Sequence, residues 1–293
     1  MRNASPALVA LLNGSDQVLV ADCLTLVLVD GTTLRLTAAD ADVVLDTRTF
    51  TAGVPFQRTK TRLSIGLDVD SLTLTLWPRA GRDALLGRPW PAAVADGVLD
   101  GARVVVERAF FAAPDTPAVG ALIQFGGRVG QASPARSSIL CEVQSDLELL
   151  AQPSPRHVYQ AGCLHTLFDN GCALSKIAWT YFGTVGAGGD VRTVVPATLA
   201  RDSANALGAA DGFFDLGTVT FTSGVNAGVT RAVQRWASGR VALGLPLRTA
   251  PAVGDTFTMS PGCDKTQATC SAKFQNLGRF RGYPYTPKPE ALR

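Results

Sequence analysis

At 293 residues the chain is long enough for two domains, and its net charge of +3 with 17% charged residues argues against a dedicated nucleic-acid binder, which carries a basic stripe or a strongly basic domain. It contains no run of about 18 or more apolar residues, so no transmembrane helix or membrane anchor is expected. The 29 glycines among many threonines and valines point to a β-rich chain.

Residues 6–14 read as a short helix: Ser5 can cap it, Pro6 suits its first position and Gly14 can end it. The apolar run inside it is short for a signal peptide and lacks a small-residue cleavage site. Without export, the cysteines meet a reducing cytosol. Residues 24–29 and 33–37 alternate on either side of Asp30-Gly31, which predicts a hairpin, and Cys23 opens its first strand as a buried thiol. Residues 50–55 and 63–67 are expected as further strands or loops. Residues 71–76, Ser-Leu-Thr-Leu-Thr-Leu, form a strand with its leucines on one face, ended by Trp77-Pro78.

One or two short helices are expected over residues 82–99, where Pro89 and Pro91 interrupt an apolar run. Residues 102–111, 118–125 and 138–149 read as strands. Cys141 lies in the last of these as a second buried thiol, and the polar stretch 126–136 reads as an exposed loop. Two prolines within residues 151–156 place a boundary between a domain over residues 1–150 and one over residues 151–293. In the second half, strands at 179–185, 191–199, 217–222, 229–236, 240–243 and 256–259 are split by turn sequences, which suits a small barrel or sandwich. Phe213, Phe214 and Phe221 are expected to fill its core. The fold class is therefore mainly β, with two β-rich, barrel- or sandwich-like domains, short helices and a C-terminal four-cysteine loop region. From Gly282 the chain favours extended, polyproline-like backbone. Either it frays, or Tyr283 and Tyr285 lie across the cysteine region or reach a neighbouring subunit.

The rarest residues concentrate in two places. Cys163 and Cys172 are separated by eight residues, Cys263 and Cys270 by six. Four thiols in two distant pairs can close one soft-ligand site, for zinc or for an iron–sulfur cluster. Zinc ribbons usually take their thiolates from tighter turns. Disulfides and unpaired structural thiols remain open on spacing alone. His165 follows Cys163 by two residues and is either a further ligand or, by preference, a loop-orienting group; His157 is a surface residue. With two histidines in the chain and no nucleophile elbow, phosphate loop, zinc-protease helix or Cys-x-x-Cys, neither hydrolysis nor thiol redox catalysis is expected. Asp68 with Asp70, and Asp146 with Glu148, read as solvated strand faces.

The run Gly262-Cys263-Asp264-Lys265-Thr266 through Cys270, Lys273-Phe274, Asn276, Phe280-Arg281-Gly282 and Pro284 resembles the C-terminal signature of a family of tailed-phage proteins. That family includes the tail-tip proteins of lambda-like phages and the hub protein of alphaproteobacterial gene transfer agents. Tyr159-Gln160-Ala161-Gly162-Cys163-Leu164-His165 through Cys172 is similar to its companion motif. Gln275 and Tyr285 depart from the pattern outside the cysteines. The resemblance implies a [4Fe-4S] cluster on Cys163, Cys172, Cys263 and Cys270. It also implies a hub subunit, as a homotrimer, between the distal tail protein or tail tube above and fibre or cell-wall peptidase components below. DNA would pass through such a ring without specific binding, and the chain would be assembled in the bacterial cytoplasm into a virion or gene transfer agent tail tip. The alternative from another class is a cytosolic iron–sulfur or zinc enzyme. That reading needs an open coordination position or a convergent polar set, and neither is visible.

Overall fold

The computed structural model describes residues 4–14, 17–59, 70–114, 116–151, 158–202 and 204–285. The chain divides into two compact units, Met1–Pro153 and Ser154–Arg293. The expected strand at 63–67, Asp68, His157 and the expected boundary from residue 152 onward lie outside the described residues.

In the first unit, helix α1 (Pro6–Gly14) starts as its sequence dictates. The Ser5 hydroxyl accepts from the Leu8 N–H at 3.2 Å, satisfying one of the donors a helix start leaves free. Strands β1 (Leu19–Val27) and β2 (Thr33–Thr37) form the predicted hairpin. Gly31 takes the left-handed conformation at φ 88°, and the Asp30 carboxylate accepts from the Thr32 N–H at 2.8 Å. A small hairpin of β3 (Val43–Leu45) and β4 (Arg48–Phe50) follows, then β5 (Phe56–Arg58) and β6 (Ser71–Leu76). Leu72, Leu74 and Leu76 of β6 are all buried, as the alternation requires.

Residues 82–99 differ from expectation. Strands β7 (Ala84–Leu85) and β8 (Arg88–Pro89) pair as a miniature hairpin, and α2 (Trp90–Ala95) is the sole helix there. Leu86 and Gly87 both have positive φ, 50° and 76°, the combination a two-residue hairpin turn requires; a helix-like apolar spacing thus concealed a turn. Strands β9 (Arg103–Phe111), β10 (Gly120–Pro134) and β11 (Ile139–Ser145) complete the sheet.

The polar stretch 126–136 is strand rather than loop through Pro134. β10 absorbs its extra residues in two irregularities, between Ile123 and Phe125 against β9 and between Val129 and Gln131 against β11. Gly127 lies so close to the Gln144 carbonyl that a Cβ there would overlap it. Beyond β11 the expected strand gives way to a 3₁₀ turn over Asp146–Ala151, so Asp146 and Glu148 share no strand face.

The seven strands run in the order β2-β1-β9-β10-β11-β6-β5, with every named pairing antiparallel. Arg58 on the last strand nevertheless reaches Asp22 on the second at 2.8 Å. The sheet is therefore rolled. Its main core gathers Leu24, Leu26, Leu72, Leu74, Val104, Val106, Trp90 and Ile139. On the opposite face Cys23, Ala21 and Ala109 pack under Val43, Leu45 and Phe50 of the β3–β4 hairpin.

The second unit holds eight strands: β12 (Tyr181–Val185), β13 (Thr193–Val194), β14 (Pro196–Arg201), β15 (Ala204–Asn205), β16 (Thr218–Phe221), β17 (Thr230–Ala237), β18 (Arg240–Leu243) and β19 (Thr256–Ser260). Their order is β13-β18-β17-β16-β19-β12-β14-β15. Only Val195 separates β13 from β14, yet these strands stand first and seventh. One extended segment therefore joins both ends of the sheet, which curls into a barrel. The core is aromatic: Phe214 packs edge-on against Tyr181 at 5.0 Å and Trp236 at 5.1 Å, with Phe221 and Phe257 fully buried. Phe213 is only partly buried against it. The turn between β17 and β18 is the expected Ser238-Gly239, both at positive φ.

Candidate metal centre

The loops that leave this barrel carry the cysteines. Cys163 and Cys172 precede β12, whereas Cys263 follows the end of β19 by three residues. β12 and β19 are neighbours in the sheet, so the topology delivers both motifs to one end of the barrel. Their backbones are then joined directly. The Cys163 N–H donates to the Lys265 carbonyl at 2.8 Å, the Leu164 N–H to Arg281 at 3.3 Å and the Tyr283 N–H to Gln160 at 2.8 Å. The first motif thereby lies between the second motif and the C-terminal segment.

Each cysteine has a local device that fixes it. Asp169 accepts from the Cys172 N–H at 2.6 Å and the Thr166 N–H at 2.8 Å. Those bonds, Cys172's first, hold its carboxyl below the usual carboxylate range. Gly162 and Gly262 immediately precede cysteines, and a Cβ on Gly262 would overlap the backbone of Leu216. Cys263 is thus pressed against the barrel where only glycine fits. Helix α3 (Gln267–Ala272) carries Cys270 and is capped by Thr266, whose hydroxyl accepts from the Thr269 N–H at 3.2 Å. The Asp264 carboxylate accepts in turn from the Thr266 N–H at 2.9 Å.

Cys163, Cys172, Cys263 and Cys270 line one pocket with Leu167, Leu174 and Phe274. Hydrogen-bond donors point at three of the four sulfurs. The Lys265 N–H lies 3.3 Å from the Cys263 Sγ, the Arg281 N–H 3.5 Å from the Cys163 Sγ and the Asn276 Nδ2 3.7 Å from the Cys172 Sγ. All six cysteines are free, so neither pair forms a disulfide. Burial pushes the Cys263 and Cys270 thiols up, and the neighbouring site cysteines push each of them further. Cys263 and Cys270 therefore resist becoming thiolates unless a positive charge compensates them. Among the described residues, no three His, Cys, Asp or Glu side chains converge closely enough to hold a metal ion.

His165 belongs to the same pocket lining. Its ring lies where a Cβ on Gly171 would fall, and its Nδ1 stands 3.8 Å from Asp169. On the other side of α3, the Lys273 ammonium donates to the Gly262 carbonyl at 2.7 Å and sits over the Phe213 and Phe274 rings at 5.1 and 5.3 Å. Burial lowers its pKa. Tyr283 packs edge-on against Tyr159 at 4.5 Å, while Tyr285 is exposed. Cys23 and Cys141 are buried in the first unit, as expected.

The four thiols are marked out by the sequence pattern, whereas Asp169, Lys273 and Asn276 carry no such mark of their roles. A weaker signal was present for Asp169: an Asp three residues before a motif cysteine in a Gly-rich loop suits a side-chain-capped turn.

Two rolled antiparallel sheets, one presenting a loop-borne thiol pocket, place the chain in the class of structural proteins of phage-like tails once the family comparison is added. The family described as "Baseplate hub protein, N-terminal attachment domain" matches residues 5–175, and the chain belongs to it. A second family, "Phage conserved hypothetical protein BR0599", matches residues 212–290. The first match spans Cys163 and Cys172, the second Cys263 and Cys270. A solved structure titled "Virion of native gene transfer agent (GTA) particle" contains a similar chain, 25% identical with a TM-score of 0.77, covering 98% of this chain and 94% of that one. No curated protein matches.

Proposed function

We propose that this chain is a non-enzymatic hub subunit of a phage-like or gene-transfer-agent tail baseplate. In this reading it is a homotrimeric ring joining the end of the tail tube to distal receptor-binding or peptidoglycan-degrading components. Residues 1–150 form an N-terminal β-rich hub domain and residues 151–293 the domain bearing the cysteine site. The observation that carries the reading is the match of 5–175 to the baseplate hub family. The likeness to a virion chain over nearly the whole length supports it. The cytosolic enzyme reading has no comparable support.

Within the hub, Cys163, Cys172, Cys263 and Cys270 hold a [4Fe-4S] cluster. Two features favour it: four soft donors lining one pocket, and N–H groups directed at three of their sulfurs. The cluster, when bound, supplies iron–thiolate bonds that cross-link loops roughly 90 residues apart in sequence. On a chain-entropy model a crosslink of that span is worth about 4.6 kcal/mol through the unfolded state. The chain's own part is to hold the donors in place, through the Asp169 turn, the Gly262 contact and the Thr266 cap.

Deleting the gene in a producing strain tests the hub role. The account expects tails that end without a baseplate and particles that fail to deliver DNA, both restored by the wild-type gene. Complete, infective particles without the protein would refute it.

A further inference from the structure

One residue of the pocket bonds to both motif cysteines Cys270 and Cys172, through its backbone to the first and its side chain to the second. Asn276 follows α3 and the short turn at its end, and its backbone N–H donates to the Cys270 carbonyl at 3.0 Å. Its own carbonyl lies 3.4 Å from the Cys270 Sγ. Its side chain reaches the other motif, 104 residues away in sequence: Nδ2 donates to the Cys172 carbonyl at 2.7 Å and faces the Cys172 Sγ at 3.7 Å. The residue is part-buried in these contacts and lines the thiol pocket. An amide suits this place because it supplies two N–H donors and no charge, whereas a carboxylate would set lone pairs against a carbonyl and a sulfur.

We infer that Asn276 is the positioning residue of the thiol site, holding Cys172 in register with Cys270 and donating to the Cys172 sulfur. The inference deepens the proposed cluster site and rests on it. Hydrogen bonds to ligand sulfurs are among the factors that set a cluster's reduction potential, and groups behind the ligands govern metal retention. An N–H directed at a sulfur stabilises the more negative, reduced state more than the oxidised one. Removing it must lower the potential as well as loosen the site.

The test compares the full-length wild-type chain with Asn276→Leu, which keeps bulk without a donor, and Asn276→Asp, which replaces the donor with charge. All are purified without oxygen. Iron content, the rate of iron loss to a chelator and the reduction potential are read on each. The expected result is a wild-type chain that holds iron, with loss about 10-fold or more faster in both variants. The potential of Asn276→Leu should also be more negative, a change that loop slackness alone would not direct. Asn276→Ser, too short to reach Cys172, decides the matter if the other two do not fold, through the same shift.

Variants with wild-type retention and potential would overturn the role of Asn276 while leaving the cluster standing. A wild-type chain without iron would overturn both, and the wild-type sample alone would reveal it.

Discussion

Cys23 and Cys141 carry the same functional group as the pocket thiols, but burial separates their chemistry. Burial pushes Cys23 up to about 11 and Cys141 up to about 12, so neither forms the thiolate that reacts at neutral pH. Treating the native, chelator-stripped chain with iodoacetamide should therefore alkylate only Cys163, Cys172, Cys263 and Cys270. Modification of Cys23 or Cys141 before global unfolding, read by peptide mass, would contradict the assignment. The distinction was legible in sequence, because both buried cysteines sit inside apolar alternation and the other four lie in two paired motifs whose first cysteine directly follows a glycine.

The charged group that fixes the first sheet was not legible. Asp22 takes Arg58 at 2.8 Å and Arg108 at 2.8 Å, and nothing local announces a partner from β5. Burial raises its pKa, but the hydrogen bonds from Arg108 and Arg58 outweigh that and hold it below the usual carboxylate value. A depressed folded pKa means stabilisation that is fully present above the unfolded value of about 3.9 and lost as pH falls through the lower folded one. Asp22→Asn should cost about 2–4 kcal/mol at pH 7. The gap in thermal midpoint between wild type and variant should narrow as pH drops below about 4. A gap independent of pH would show that the pair's charge is not what stabilises the sheet.

Among the elements, those built on a strict period were read correctly. The leucine alternation of β6, the Asp-Gly hairpin of β1 and β2, and β16 to β19 follow from patterns within a few residues, whereas the single strand expected over 191–199 is two strands, β13 and β14, and β15 was not expected. The misread elements depend on partners far away. β10 looks in sequence like a strand followed by a loop because Gly126, Gly127 and Gly130 interrupt its pattern, but Gly127 and Gly130 permit close approach to Gln144 of β11. The β7–β8 hairpin hid because Leu86, not glycine, takes the first positive φ.

At the cysteine loops, Gly262 is the comparable constraint, since no side chain fits between it and Leu216. Gly262→Ala should displace Cys263, lowering iron content several-fold and the second unit's unfolding midpoint. Thr266→Ala should cost the α3 cap, about 1 kcal/mol, and lower iron content less than Gly262→Ala. Equal iron in Gly262→Ala and wild type would remove the glycine from the account of the site.

At the scale of each unit, barrel- or sandwich-like character was expected from strand spacing, but which strands meet to close each sheet was not, because register between distant strands leaves no local mark. The antiparallel, turn-rich character was readable, and so was the pairing of the two cysteine motifs, through resemblance. The second barrel explains why that pairing works: β12 and β19 are adjacent, so loops from distant parts of the chain leave side by side. As a hub subunit, the purified chain should have a native mass near three times its 30.7 kDa, measured by native mass spectrometry. A strictly monomeric chain across the micromolar range would count against the ring.

The central claim is that four thiols from two distant loops are held by one iron–sulfur cluster in this subunit. The most direct measurement is iron, acid-labile sulfide and zinc on protein purified without oxygen, for the wild type and for Cys163→Ser, Cys172→Ser, Cys263→Ser and Cys270→Ser. The account predicts about four iron and four sulfide per wild-type chain, lost or sharply reduced in each variant. Zinc alone, or no metal with all four thiols titratable, would contradict it.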